Sequence, residues 1–372
     1  MAVQSHATRQ RLMHIAFRTD ASLHIGTGHV MRCLTLADAL QERGAKSTFI
    51  CRPHAGHLLE LIQQRGHTAK ALLPGDDVYE DTADPCHAKW LGNDWASDVE
   101  QTQQALGNQL VDWLVVDHYA LDRRWEQAMR RHSQRIMAID DLANRPHDSD
   151  LLLDQTFGRY TVDYQHLVPA QCKLLCGSQY ALLRSEFGAL RPYSLKRRNN
   201  VALRELLITM GGVDKNNATG QVLQVIRCCN LPADCRITVV MGATAPCREK
   251  VRTQAQNMPW LTRVLVGVSD MAQLMADSDL AIGAAGSTSW ELCCLGVPSI
   301  LVCTASNQCT VISALASAKA AVRLDLPELS QSDGFPFYAQ YAVLTENLET
   351  YVKAAALITD GNGASRVCAE FA

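Results

Sequence analysis

Between Ile15 and Leu40 the chain passes from a short apolar run, Ile15 to Phe17, through a polar turn holding Gly26 and Gly28, into a stretch with apolar residues at helical spacing from His29 onward. A strand, a glycine turn and a helix in that order constrain the fold more than any other part of the sequence. The first amides of such a helix have no partners in the helix and carry the positive end of its dipole, which suits a phosphate or another anion. His29 and Arg32 stand on that first turn, within reach of a ligand lying across the helix end. The plainer alternative is a polar surface histidine, since a Gly-x-Gly pair is common.

The plan recurs. Ala45 to Arg52 reads as a second strand, His57 to Gly66 as a helix closed by glycine, and Ala69 to Leu73 as a third strand. Strand alternating with helix predicts a parallel sheet covered on both faces. Residues 75–95 read as an acidic surface loop before a helix from Trp95 to Gln109. Asp112-Trp-Leu-Val-Val-Asp-His-Tyr is then a continuous apolar run with a polar end, the pattern of a buried parallel strand whose carboxyl end opens on a crevice. Asp117 there is either a ligand group or a cap for the helix Leu121 to His132. The segments ending at Asp140-Asp141 and at Asp154-Gln155 repeat the design, so three strand ends carry acids and amides.

Residues 188–204, with Pro192 and Lys196-Arg-Arg-Asn-Asn, read as a linker. Leu206 to Thr219 then repeats the opening plan, with Asn216 or Asn217 as the expected helix cap. Leu280 to Pro298 carries a second glycine turn, in which Ser287, Thr288 and Ser289 open a helix stopped by Gly296 and Pro298. This too is an anion cradle. Glu291 either caps that helix or accepts hydroxyl protons from a sugar. Residues 358–372 are weakly patterned.

A chain of 372 residues fits two domains of ordinary size. The expected division is 1–12 a disordered extension, 13–187 the first domain, 188–204 the linker and 205–372 the second domain. A net charge of −3 gives no electrostatic reason to expect nucleic acid or an anionic membrane as partner. The fourteen cysteines fall mostly within apolar patterns and read as reduced, buried residues of a cytoplasmic protein. No apolar run approaches the ~20 residues of a membrane span. The fold class expected is α/β, two doubly wound Rossmann-like domains with parallel sheets facing across a cleft.

These residues resemble a specific family. Arg18-Thr-Asp-Ala-Ser with Gly26-Thr-Gly-His-Val-Met-Arg, Val115-Val-Asp-His-Tyr, Ile139-Asp-Asp-Leu-Ala-Asn-Arg-Pro-His, Leu151-Leu-Leu-Asp-Gln and Tyr180-Ala-Leu-Leu-Arg-Ser-Glu-Phe lie in the first half. Gly211-Gly-Val-Asp and Gly283-Ala-Ala-Gly-Ser-Thr-Ser-Trp-Glu with Asn307-Gln308 lie in the second. From about residue 14 to its end the chain resembles the UDP-sugar hydrolases of pseudaminic acid biosynthesis, which release UDP from UDP-2,4-diacetamido-2,4,6-trideoxy-β-L-altropyranose. The second-half motifs are shared in looser form with two-domain UDP-sugar glycosyltransferases, and the first-half set points to the hydrolase. Ala285 stands where a third glycine is expected, and Lys215 takes a turn position after Asp214, but neither change removes a donor group.

The resemblance implies a GT-B-like fold, with UDP held by the second half and the sugar facing the first. It implies His29 as the base that activates water, and Tyr119 and Asn307 lining the sugar site. Arg18, Asp20, Gly26, Gly28, Arg32, Asp117, Arg184, Gly211, Gly212, Gly286, Ser287, Thr288, Ser289, Glu291 and Gln308 are the substrate-binding candidates. A small-molecule UDP-sugar is the expected partner, with no cofactor, metal or protein partner, in the supply of a sugar for flagellin or a surface polysaccharide. UDP is a good leaving group, so helix-end amides and hydroxyls suffice without a strong acid. An imidazole suits removal of the water's proton near neutrality. In-line attack would invert the anomeric carbon. The rivals are a UDP-sugar glycosyltransferase, a UDP-N-acetylhexosamine epimerase and a non-catalytic nucleotide-sugar-binding module.

Overall fold

The computed structural model describes residues 12–75, 87–198, 202–305, 308–330 and 335–371. The expected extension therefore lies outside the described residues except for Leu12, as does Asn307.

Among the described residues two sheets form. The first contains β1 (His14–Thr19), β2 (Lys46–Cys51), β3 (Thr68–Ala71), β4 (Val111–Asp117), β5 (Ser133–Ile139), β6 (Leu151–Asp154) and β7 (Lys173–Cys176), in the order β3-β2-β1-β4-β5-β6-β7. The second contains β8 (Glu205–Thr209), β9 (Arg236–Met241), β10 (Leu261–Val266), β11 (Leu280–Ala284), β12 (Ser299–Cys303) and β13 (Val322–Asp325), in the order β10-β9-β8-β11-β12-β13. Every pairing is parallel. Both orders reverse once, between β1 and β4 and between β8 and β11, and at such a switch point a crevice opens outside the carboxyl ends of the strands. The expected doubly wound architecture is what the chain adopts.

The helices of the first half are α1 (Gly28–Gln41), α2 (Leu59–Gln64), α3 (Trp95–Leu106) and α4 (Arg123–Met129). After α5 (Ser185–Arg197) follow α6 (Ala218–Ile226), α7 (Arg248–Gln256), α8 (Met271–Asp277), α9 (Ser287–Cys294), α10 (Cys309–Ser317), α11 (Phe335–Glu346), α12 (Leu348–Ala356) and α13 (Gly363–Cys368). Strand side chains alternate between two cores, as a period of two requires. Ile15 and Phe17 of β1 pack with α1, whereas Ala16 packs on the other face with Leu114 and Trp125. In the second sheet Leu206 and Ile208 face one core and Leu207 the other. No helix among the described residues is long and apolar enough to cross a membrane.

The basic stretch over 188–204 is largely helical, because α5 runs through Pro192 to Arg197. Its arginines do not solvate a linker. Arg198 is buried and donates to the carbonyls of Gly296, Met275 and Ser278 at the ends of α9 and α8, and Arg191 donates to that of Ala356 at the end of α12. Each places positive charge at the negative end of a helix dipole. The weakly patterned end of the chain forms α13, which packs back on α1 of the first half, and Phe371 lies 4.7 Å from the Trp113 ring.

Arg18 and Asp20, expected at the substrate, are buried members of an ionic cluster. Arg18 is 0% exposed and donates through Nε and Nη2 to Asp98 of α3 at 3.0 and 2.7 Å, with Nη1 2.7 Å from Asp20. Asp98 also accepts from Arg52 at 2.8 Å and from the Trp125 indole at 3.0 Å, and Asp20 accepts from the Arg52 amide at 2.6 Å. Both carboxyls are held below the usual range: burial opposes ionisation and Arg18 outweighs it. The strand runs past Phe17 to Thr19, and Arg18, inside it, points into the layer between β1 and α3.

Removing one member leaves its partners charged and buried. Asp98→Ala is expected to cost about 3–5 kcal/mol of stability, read as a lower midpoint of urea unfolding.

Candidate active site

The β1 to α1 turn is self-contained. Ser22 and Gly26 exchange backbone hydrogen bonds at 2.8 and 3.3 Å, and the Ser22 hydroxyl accepts from the amides of His24 and Ile25. Gly26, with φ +82°, takes the left-handed conformation that closes this turn. Thr27 precedes α1 without a side-chain cap, so the first amides of the helix are left to solvent or a ligand. Gly28 opens the helix and His29 follows, 8% exposed.

Beside this turn ends β4. His29 Nδ1–H donates to Asp117 Oδ1 at 2.6 Å. Arg32, one turn further along α1, donates through Nε and Nη2 to Oδ2 and Oδ1 of the same carboxylate at 2.6 and 2.7 Å. Burial works against the Asp117 charge, and Arg32 and then His29 overcome it, holding the carboxyl well below the usual range. An ionised acceptor at that distance puts a proton on Nδ1, so that in the neutral imidazole Nε2 is the nitrogen that carries the lone pair. No described residue hydrogen-bonds Nε2. The alternative of Asp117 as a helix cap is excluded, since Asp122 caps α4 by accepting from the Arg124 amide at 2.9 Å.

Tyr119 meets His29 edge to face, with ring centroids 4.6 Å apart. Its hydroxyl donates to Asp141 Oδ2 at 2.8 Å, and Arg32 Nη1 donates to the same oxygen at 2.6 Å. Burial and the Asp141 charge push the phenol well above its ordinary pKa, so it stays protonated. The structure thus brings His29, Arg32, Asp117 and Tyr119 together around the first switch point. Asp141 completes the set. It stood in a quoted motif, but nothing in its spacing marked it as the partner of both Arg32 and Tyr119.

Across from this group lies the β8 to α6 turn. A side chain at Gly212 would come within 3.2 Å of Thr27 Oγ1, and Lys215 Nζ lies 3.4 Å from His24 Nδ1, so the two glycine turns face one another. Gly211 takes φ +82°. Neither Asn216 nor Asn217 caps α6. Asp214 does, accepting from the amides of Ala218 and Thr219 at 2.8 and 3.0 Å, because its carboxylate satisfies two orphan amides at once.

Next to that turn α9 begins. Gly286 is exposed, Ser287 and Thr288 are half-buried, and the buried Ser289 hydroxyl accepts from the Gly286 amide at 3.4 Å. No described residue hydrogen-bonds the Ser287 and Thr288 hydroxyls or the Glu291 carboxylate. Glu291 therefore does not cap its helix. Burial pushes its carboxyl up to about 7, against the pull of Arg184. Arg184 pairs with Glu186 at 2.9 Å and lines a cavity of about 750 Å3 between the outer half of α1 and the start of α5. Gln308 turns its side-chain oxygen to the Thr304 amide and hydroxyl, both at 3.0 Å.

Among the described residues no three His, Cys, Asp or Glu side chains are grouped to hold a metal ion.

Comparison with known proteins places this geometry. The glycosyltransferase family 28 C-terminal domain matches residues 206–332, which include both second-half turns. The chain is 27% identical over 297 residues to the UDP-2,4-diacetamido-2,4,6-trideoxy-beta-L-altropyranose hydrolase of Campylobacter jejuni, covering 80% of this chain and 93% of that one. It is also 27% identical over 361 residues to the spore coat polysaccharide biosynthesis protein SpsG of Bacillus subtilis, covering 96% and 97%. The crystal structure of Acinetobacter baumannii MurG superposes with a TM-score of 0.64 at 17% identity, covering 96% of this chain and 99% of that one. The resemblance carried by the motifs therefore extends over most of the chain, and the fold is that of the GT-B proteins.

The Asp117 contact makes the tautomer of His29 testable. At pH 8 the ring nitrogen shifts of His29 should report a proton on Nδ1. In Asp117→Asn, where the acceptor charge is gone, the Nε2–H form should become populated.

Proposed function

We propose that this protein is a UDP-sugar hydrolase that splits UDP-2,4-diacetamido-2,4,6-trideoxy-β-L-altropyranose into UDP and the free sugar, with inversion at the anomeric carbon. The observation that carries the reading is the 2.6 Å contact of His29 Nδ1 with the buried Asp117, at the start of a helix whose preceding Thr27 lies against Gly212 of the second half. The likeness to the Campylobacter jejuni hydrolase over most of both chains supports the choice of reaction.

In this reading His29 Nε2 takes a proton from water as the oxygen attacks the anomeric carbon, and Asp117 stabilises the imidazolium that forms. The bond to the diphosphate breaks on the opposite face. The charge that gathers on UDP is met by the first amides of α9 and by the Ser287 and Thr288 hydroxyls. Glu291, half-buried and without a hydrogen-bond partner among the described residues, accepts the ribose hydroxyls. Tyr119 borders the sugar; the resemblance assigns Asn307, outside the described residues, to that side and Gln308 to substrate binding. Residues 13–187 form the sugar side and residues 205–372 the UDP side, with the closing helix returned to the first half. The described cysteines are all free thiols, which supports a reducing, cytoplasmic setting.

A glycosyltransferase is the second reading, favoured by the family 28 domain match. It differs in needing an acceptor hydroxyl where the hydrolase needs water.

The purified protein, given the UDP-diacetamido sugar and no acceptor, should release UDP and free sugar. Release only on addition of an acceptor would establish a transferase, and an isomeric UDP-sugar an epimerase. His29→Ala should nearly abolish release while UDP still binds, and unchanged turnover would remove His29 from the mechanism.

Glu291 adds a pH dependence. Only its carboxylate can accept two ribose hydroxyls, and with a pKa of about 7 it ionises as pH rises from 6 to 8. Affinity for a UDP-sugar, whose phosphates do not titrate there, should rise about tenfold over that interval. Glu291→Gln should flatten the rise, as measured by titration calorimetry.

A further inference from the structure

Residues 87–92 fall in what the sequence patterning leaves as surface loop, yet they build a wall beside His29. Trp90 lies nearly parallel to Tyr119, with centroids 5.5 Å apart and 24° between planes, and meets His29 edge-on at 6.2 Å. His87 packs against Trp90 at 4.5 Å and Tyr119 at 5.3 Å. Trp90 and Tyr119 thus border the imidazole that the mechanism needs as a base, and His87 packs on both of them.

The wall is preset. His87 adopts φ +87°, a left-handed conformation rare for a residue with a side chain, and the Trp90 amide donates to its carbonyl at 2.9 Å. Leu91 is buried in the core beneath β4. Gly92, with φ +66°, lies so close to His54 that a Cβ would stand 2.8 Å from its Cε1, and a Cβ on Gly75 would collide with the Gly92 carbonyl. Strained backbone held by such packing is characteristic of ligand sites. Trp90 is only half-buried.

An aromatic surface next to an imidazole and a phenol suits a sugar with an apolar edge. Methyl and C–H groups gain by covering the ring, whereas a hydroxyl placed there loses water and finds no partner. We propose that Trp90, braced by His87, is a specificity-determining residue that selects UDP-sugars carrying apolar substituents, an N-acetyl methyl or a deoxy C6 methyl, over fully hydroxylated UDP-hexoses. This inference rests on the UDP-sugar reading above.

The test compares wild type, Trp90→Ala and Trp90→Phe with three ligands: UDP, the UDP-diacetamido-trideoxy sugar and UDP-glucose. Trp90→Ala should lower kcat/KM for the diacetamido sugar about 10- to 200-fold, mainly through KM, and should narrow its preference over UDP-glucose. Affinity for UDP should not change. Trp90→Phe, which keeps an aromatic face, should retain most of the preference. The diacetamido sugar, but not UDP, should alter tryptophan emission in wild type and not in Trp90→Phe.

Equal weakening of UDP and UDP-sugar by Trp90→Ala, or an unaltered preference, would overturn the assignment. Wild type is measured first, so the two readings separate. A wild type that binds the sugar nucleotide more tightly than UDP without releasing UDP ends the hydrolase reading, and the binding ratios then decide on the wall alone.

Discussion

The Asp117 carboxylate ties the first half of the site together. It ends β4, yet every strong contact it makes is to α1: His29 on the first turn and Arg32 on the second. These contacts bridge the switch point and fix α1 against the neighbouring strand. A buried carboxylate is expensive unless paired and hydrogen-bonded, and here a guanidinium fork and an imidazole fill its acceptor sites. The charge that would destabilise an apolar layer instead fixes the orientation and tautomer of one histidine. Arg32 then reaches on to Asp141, which also holds the Tyr119 hydroxyl, so the ends of β4 and β5 and the start of α1 behave as one polar unit.

A second ionic cluster lies behind it and does different work. Arg18, Arg52, Asp20 and Asp98 are fully buried and touch one another across β1, β2 and α3. Such clusters give little net stability over apolar packing but penalise misplacement of any member heavily. Their role here is registry. They hold the carboxyl ends of β1 and β2 in the positions from which the glycine turn and α1 depart.

The second half uses the same topology for other chemistry. Where the first half fills its switch point with paired charges, the second leaves hydroxyls, helix amides and one elevated carboxyl without hydrogen-bond partners among the described residues. The halves meet at Thr27 and Gly212, where the absence of a side chain allows the two turns to approach. On the other side Arg191 and Arg198 tie α5 and its end to carbonyls of the second half, and α13 returns to pack on α1 of the first. Composition records that arginines are present in 188–204, not that their targets are the ends of other helices.

Alternation of short apolar runs with glycine turns and helical spacing already dictated two parallel, doubly wound sheets, because period and turn chemistry are local properties. It also placed His29, Asp117 and the Ser287 to Ser289 helix start at strand ends, where that topology opens. What remained for the tertiary structure was direction and partnership. Arg18 and Arg32 are alike in the sequence, each an arginine near a glycine turn, but one points between β1 and α3 and the other toward Asp117 and Asp141. Asp214 rather than either asparagine caps α6, and Trp90 reaches Tyr119 from a loop without periodicity. Such contacts join residues up to about a hundred positions apart, and no local pattern encodes which of several equivalent charges or rings the packed chain will bring together.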